Sequence, residues 1–208
     1  MERRLNRFDG IAPIYDFLAD IVFFGAIKKA QEIHLDQIPP NARILVLGGG
    51  SGRWMRKLFQ LNAGCTVYFV EASSRMLKKV EQNNSEHLEQ IELVHSTHLD
   101  TPEIQFDAVI THFFLDMFSN DNVVDVIKLI KRRVKKEGLW LVADFVKKHW
   151  WHSLFLRMMY IFFRVVGSID ARKLPEWQTA IEGNGFFVNQ SDYFFWRFIS
   201  CKAYKVSS

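Results

Sequence analysis

Residues 42–59 read ARILVLGGGSGRWMRKLF: a short apolar run, three consecutive glycines, a Ser-Gly pair, and then a helix-forming segment. Ile44, Leu45, Val46 and Leu47 have no polar residue among them, the composition of a strand covered on both faces in a parallel sheet. Such a strand belongs at the centre of a fold. Gly48, Gly49 and Gly50 can adopt positive φ and let a ligand approach the main chain. The helix that follows offers unpaired N–H groups and the positive end of its dipole. The stretch therefore predicts a binding loop for a nucleoside-containing ligand.

The spacing narrows the choice of nucleoside. The dinucleotide fingerprint is G-x-G-x-x-G, whereas here Gly48, Gly50 and Gly52 alternate and Arg53 stands where the third dinucleotide glycine would fall. This argues against NAD and FAD, and no G-x-x-x-x-G-K-[ST] phosphate loop is present. Further on, CTVYFVEASSRMLKKV (residues 65–80) reads as a strand ending in Glu71 and a helix capped by Ser73 or Ser74. Glu71 lies nineteen residues beyond Gly52. A carboxylate at that strand tip can accept hydrogen bonds from both ribose hydroxyls, each worth roughly 1.5–3 kcal/mol.

From the glycines onward the chain alternates strand and helix, the pattern of a parallel sheet with helices on both faces. Strands are expected over residues 43–47, 66–70, 91–94, 108–111, 139–143, 186–193 and 198–205. In this order ILVLGGGSGRW, VYFVEASSRML, FDAVITHFFLDMF and EGLWLVADF resemble the motifs of class I S-adenosylmethionine-dependent methyltransferases. The resemblance covers roughly residues 42–206. It implies a Rossmann-like α/β fold with a seven-stranded, mostly parallel sheet whose last strand is antiparallel, and S-adenosylmethionine as cofactor. Gly48, Gly49, Gly50, Ser51, Gly52, Glu71, Ala72, Met76, Ser96, Thr97, His98 and Thr111 are then the expected cofactor-binding positions. The pattern departs at Val46, where the family commonly has an acidic residue. It departs again at Ser96, Thr97 and His98, where an acid or amide often lies near the adenine amino group. The amino-terminal FDGIAPIYDFLADIVFFG is similar to a stretch of ubiquinone/menaquinone-type C-methyltransferases that closes over the cofactor; Phe8, Ala12, Tyr15 and Asp16 match, and Tyr15 joins the expected cofactor contacts.

Composition sets bounds on these readings. A chain of 208 residues with 49% hydrophobic content fits one α/β domain with a full core. Within residues 1–208 the expected organisation is a helical cap over 1–38 and a helical insert over 149–175. Cys65 and Cys201 form no disulfide or zinc pattern, and a reducing cytoplasm fits them best. The first residues mimic a signal peptide, but Asp9, Pro13, Asp16 and Asp20 interrupt the apolar run. Ile11, Ile14, Leu18, Ile21 and Phe24 recur at helical spacing, and Gly25 marks a break before a second helix. The net charge is +4, yet Lys128, Lys131, Arg132, Arg133, Lys135 and Lys136 alone exceed it. Val123, Val126 or Ile127, Ile130 and Val134 would form the buried stripe of that basic helix, whose outer face is then solvated or meets an anionic partner.

Methyl transfer is an in-line displacement, so the protein must chiefly align nucleophile, methyl and sulfur. Residues after the fourth and fifth strands line the expected crevice, which selects His112, Asp116 and Asp144 as catalytic candidates, with His112 the best-placed base. The pairs His95/His98 and His149/His152 lack companions for a zinc set, so no metal is expected. THFFLDMF is apolar where a nucleic-acid methyltransferase would carry an Asn-Pro-Pro-Tyr-like motif, favouring a small, apolar acceptor and no nucleic acid. Residues 150–166 are nearly all apolar or aromatic. Their arginines argue against a membrane span, leaving a cap over the site, a peripheral membrane contact or contact with an apolar substrate. The rival reading of the whole chain is a catalytically silent Rossmann-like domain that binds a partner or a membrane surface.

Overall fold

The computed structural model describes residues 23–152, 156 and 174–207. Among these, β1 (Arg43–Leu47) is flanked by parallel strands on both sides, which explains its unbroken apolar run. β2 (Thr66–Glu71) and β3 (Ile91–His95) extend the sheet one way; β4 (Phe106–His112), β5 (Val134–Phe145), β7 (Ile199–Val206) and β6 (Phe186–Phe194) extend it the other. The resulting seven-stranded order is β3-β2-β1-β4-β5-β7-β6. β7 pairs antiparallel with both β5 and β6, so it is the one strand running against the others. No described helix is long and apolar enough to cross a membrane.

Successive side chains of each central strand feed opposite layers. Ile44, Val46, Ala108 and Ile110 pack with Trp54, Leu58 and Phe59 on one face. Leu45, Leu47, Val109 and Val142 pack with Val123, Ile127, Trp177 and Ile181 on the other. Each fully buried aliphatic contributes roughly 1.5–3 kcal/mol. The helices behind these contacts are α1 (Ala26–Glu32), α2 (Met55–Leu61), α3 (Ser74–Asn83), α4 (Asn120–Arg133) and α5 (Trp177–Gly183). Gly25 precedes α1 in the left-handed region at φ 73°, consistent with a break there. Ser73 caps α3, its Oγ accepting from Met76 N at 3.2 Å, and Ser119 caps α4 in the same way.

Val134 departs from the sequence reading. It ends α4 and opens β5, pairing with Phe106, rather than completing the helical stripe. The basic run is thereby split between a helix and a strand. Lys131 donates to Asn184 O at 2.8 Å, Arg133 donates to Thr101 Oγ1 at 3.3 Å, and Lys135 pairs with Asp107 at 2.6 Å. With Lys128 3.9 Å from Asp125, four of the six cations have partners within the chain itself.

A third cluster, Phe23, Phe113, Phe145, Phe198 and Ile199, sits at the carboxyl end of β5. Here the β6–β7 turn holds Phe195, Trp196 and Arg197 at φ 49°, 52° and 65°. Three consecutive side-chain-bearing residues in the left-handed region cost roughly 1–2 kcal/mol each. The aromatic cluster offsets this: Phe195 and Phe198 pack against Phe23, while Trp196 and Arg197 face outward. Of the expected cap and insert, residues 1–22 and most of 153–173, Tyr15 included, lie outside the described residues.

Candidate active site

The strand order reverses direction at β1, between β2 and β4, and in open α/β sheets this opens a crevice beyond the carboxyl ends of the strands. Gly48 leaves β1 at φ 63°, its N–H donating to Val70 O at 3.0 Å. A Cβ on Gly48 would lie 2.4 Å from the Phe114 ring, and one on Gly49 would lie 2.5 Å from Phe69. Both glycines are therefore required by packing. Gly50, at φ 61°, meets nothing within 4 Å, so the open side of the loop lies there. The loop carbonyls are pinned from outside: Trp54 Nε1 donates to Gly49 O at 3.3 Å, Asn83 to Ser51 O at 2.9 Å, and Asn84 to Gly52 O at 3.2 Å. Gly52 is surrounded by Met55, Val80 and Asn84, which makes it a packing glycine and not an open face of the loop.

Glu71 ends β2 beside this loop, 8% exposed, with its Oε1 accepting from Ser73 N at 2.9 Å. The bond fixes the carboxylate across the turn that carries Ala72 toward the buried Met76. On the far side of β2, Ser96 N donates to Glu71 O at 3.2 Å. The Ser96 hydroxyl donates to the Asp100 carboxylate, and His95 Nε2 contacts Ala72 O at 3.0 Å. Asp100 was not among the expected residues. Its signal was its place four residues after Ser96, on the short turn following Thr97. His98 is held edge-on to Phe114 and Phe118, and burial lowers its pKa against the opposing pull of Asp100.

Thr111 does not face this crevice. Alternation along β4 sends it to the opposite layer, fully buried, where its Oγ1 accepts from Trp140 Nε1 at 2.9 Å. His112 returns to the loop side and lies edge-on to Trp54, ring centroids 5.1 Å apart. Its Nδ1 is buried without a partner among the described residues. Burial, reinforced by His34, pushes the imidazole down to about 3, so His112 is neutral at physiological pH and a poor proton acceptor. The chain then turns through Phe113 at φ 53°, which directs Phe113 into the rim cluster and Phe114 over Gly48.

Asp144, fully buried at the end of β5, gathers the loop after β4. Its Oδ2 accepts from Leu115 N at 2.9 Å and Asp116 N at 3.3 Å, and its Oδ1 accepts from Phe145 N at 2.8 Å. Asp116 is 8% exposed and its Oδ1 has no partner among the described residues. Burial pushes Asp116 up to about 7. Burial and then the charge of Asp116 raise Asp144 well above the usual carboxylate range, against three backbone N–H donors that favour its ionised form. Burial and the nearness of the two carboxyls to each other favour a protonated form of the pair. His112, Asp116 and Asp144 thus lie at or just beyond the carboxyl ends of the neighbouring strands β4 and β5. No group of three metal-ligating side chains occurs among the described residues.

Residues 44–138 match the family described as a methyltransferase domain. The fold is that of a Rossmann-like methyltransferase. An O-methyltransferase family protein from Burkholderia thailandensis superposes with a TM-score of 0.74 at 14% identity, over 95% of this chain and 60% of its own. The mitomycin 7-O-methyltransferase MmcR gives 0.69 at 16% identity, over 90% of this chain and 54% of its own. DhpI, in complex with SAH, gives 0.70 at 17% identity and is of similar length, with 98% of this chain and 96% of its own covered. The chain thus spans a little over half of the first two and nearly all of the third. No curated protein matches the sequence.

Proposed function

We propose that this chain is an S-adenosylmethionine-dependent methyltransferase acting on a small, apolar acceptor. The observation that carries the reading is the pairing of Gly50, open at φ 61°, with Glu71, fixed by Ser73 N at the tip of the adjacent strand. The match of residues 44–138 to a methyltransferase domain supports it, and the mitomycin 7-O-methyltransferase among the neighbours favours a small molecule. When bound, the cofactor supplies a methyl group already activated by its sulfonium sulfur.

The chain's own residues bind, orient and accept a proton. Glu71 takes the ribose hydroxyls, and Gly48, Gly49, Gly50 and Ser51 lead toward the methionine end, where the resemblance places Tyr15. Ala72, Met76, Ser96, Thr97 and His98 surround the base. Ser96 and Asp100 together supply the polar edge that the sequence resemblance led one to expect from a single acid or amide. Asp116, backed by Asp144, would accept the proton that the acceptor gives up. Its pKa of about 7 lies close to the working pH, where a general base is most effective. His112 contributes a neutral polar wall. Titration calorimetry with S-adenosylhomocysteine tests the reading: micromolar binding is expected, and no heat at sub-millimolar ligand would overturn it.

A further inference from the structure

We propose that the rim formed by the carboxyl end of β5 and the β6–β7 turn docks on a bilayer containing anionic lipids. Register brings the two segments together, since Phe145 and Phe194 both pair with Ile199. Trp150 is 83% exposed and Trp196 71% exposed, on separate elements. Trp151, next to Trp150 in the chain, lies edge-on to Trp196 with ring centroids 6.2 Å apart, and an open groove of about 510 Å³ lies between His149, Trp151 and Trp196. Beneath them Phe23, Phe145, Phe195 and Phe198 form an aromatic platform that holds the left-handed turn in place. Phe23 also brings the start of α1, with Phe24 81% exposed, to the same rim.

The charges select the partner. Lys147, Lys148 and Arg197 are exposed around the indoles, and Lys148 and Arg197 lie 4.4 and 4.6 Å from the Tyr193 ring. Neither residues 145–152 nor 193–198 contain an acid. The acid on the adjoining strand, Asp192, is 3.6 Å from His34. Indoles favour the headgroup level of a bilayer, and juxtaposed Lys and Arg are drawn to anionic headgroups with their stems lying along the apolar boundary. Protein interfaces share the enrichment in Trp but are depleted in Lys, which argues for lipid over a protein partner. The rim is also the end of the sheet that carries Glu71, His112 and Asp144. Docking would turn the mouth of the site toward the membrane, and an apolar acceptor would then enter from the lipid phase. That last consequence rests on the methyltransferase reading; the docking does not.

The test is co-sedimentation of the whole chain with vesicles of phosphatidylcholine alone or mixed with phosphatidylglycerol. Salt-sensitive binding to the anionic vesicles is expected. Joint Trp150→Ala and Trp196→Ala substitution should lower the partition coefficient about tenfold or more, because binding scales with the apolar area inserted. Joint Lys147→Gln and Lys148→Gln substitution should remove the preference for anionic lipid. All four positions are exposed, so binding of S-adenosylhomocysteine without vesicles should be unchanged in both variants. Vesicle binding without any affinity for S-adenosylhomocysteine would support docking and remove the catalytic reading. Absence of vesicle binding, or equal partition of wild type and the Trp variant, would overturn the proposal. So would a dimer that the Trp substitutions convert to monomer, since it would assign the rim to a second copy of the chain.

Discussion

The two sides of the crevice are built from different materials. Beyond β1 and β2 the site is mostly backbone: left-handed glycines, carbonyls pinned by Trp54, Asn83 and Asn84, and a Glu71 carboxylate fixed by a main-chain N–H. Beyond β4 and β5 it is made of buried side chains whose environments displace their proton affinities, with His112 Nδ1 and Asp116 Oδ1 left unpartnered among the described residues. A site that recognises one fixed ligand can be preorganised in the main chain, whereas a site that moves a proton depends on burial and on how charges are shared.

The sharpest way to break this contrast is Asp116→Asn. If the second side carries the chemistry, kcat should fall about a hundredfold or more while S-adenosylhomocysteine affinity stays the same. A parallel loss of both would collapse the two sides into one. The pH dependence of folding separates the same groups. Asp116 is raised from 3.8 to about 7, so its contribution is fully present below pH 4 and is lost as pH rises through about 7. His112 is lowered from 6.5 to about 3, so its contribution is present above about pH 6.5 and is lost as pH falls toward 3. The two oppose each other over most of this window. Thermal unfolding of Asp116→Asn should therefore weaken the falling component, to which the raised Asp144 also contributes, and His112→Gln should weaken the rising one, which His34, His98 and His152 share.

On the other side, Glu71→Ala should weaken S-adenosylhomocysteine about tenfold or more by calorimetry, the loss of at least one charge-assisted hydrogen bond. Unchanged affinity would remove Glu71 from the ribose role and leave the backbone alone to bind. The smallest effect is expected from Thr111→Val, which strands the buried Trp140 indole N–H and should cost about 1–3 kcal/mol of stability. Cofactor affinity should not change, because Thr111 faces the other layer. A clear loss of affinity would return Thr111 to the site.

What was legible in the sequence follows the same division. The glycine loop, the Glu71 strand tip and the Ser73 cap depend on residues within a few positions of one another, and their chemistry shows in a local window. Thr111 could not be read this way, because its partner Trp140 lies 29 residues on and is met only when β4 and β5 pair. Phe114 filling the space of Gly48 is a contact of the same kind. Val134 was ambiguous because a β-branched residue at helical spacing also suits the first position of a strand, and pairing with Phe106 decides it. The left-handed run Phe195–Trp196–Arg197 opposes local preference altogether; only the aromatic platform beneath it permits the conformation.

The position of β7 carries a consequence for the order of assembly. β1 and β2 neighbour each other in space as they do along the chain, and so do β2 and β3, but β5 and β6 share no ladder until β7 is placed between them. The glycine half of the sheet can consolidate early from nearby segments, while the half that bears Asp144 stays incomplete until residues 199–206 have been made and inserted. Shortening the chain before those residues would cut β6 off from β5 rather than trim the border of the sheet, and the carboxylate pair would lose the enclosure that raises its proton affinity.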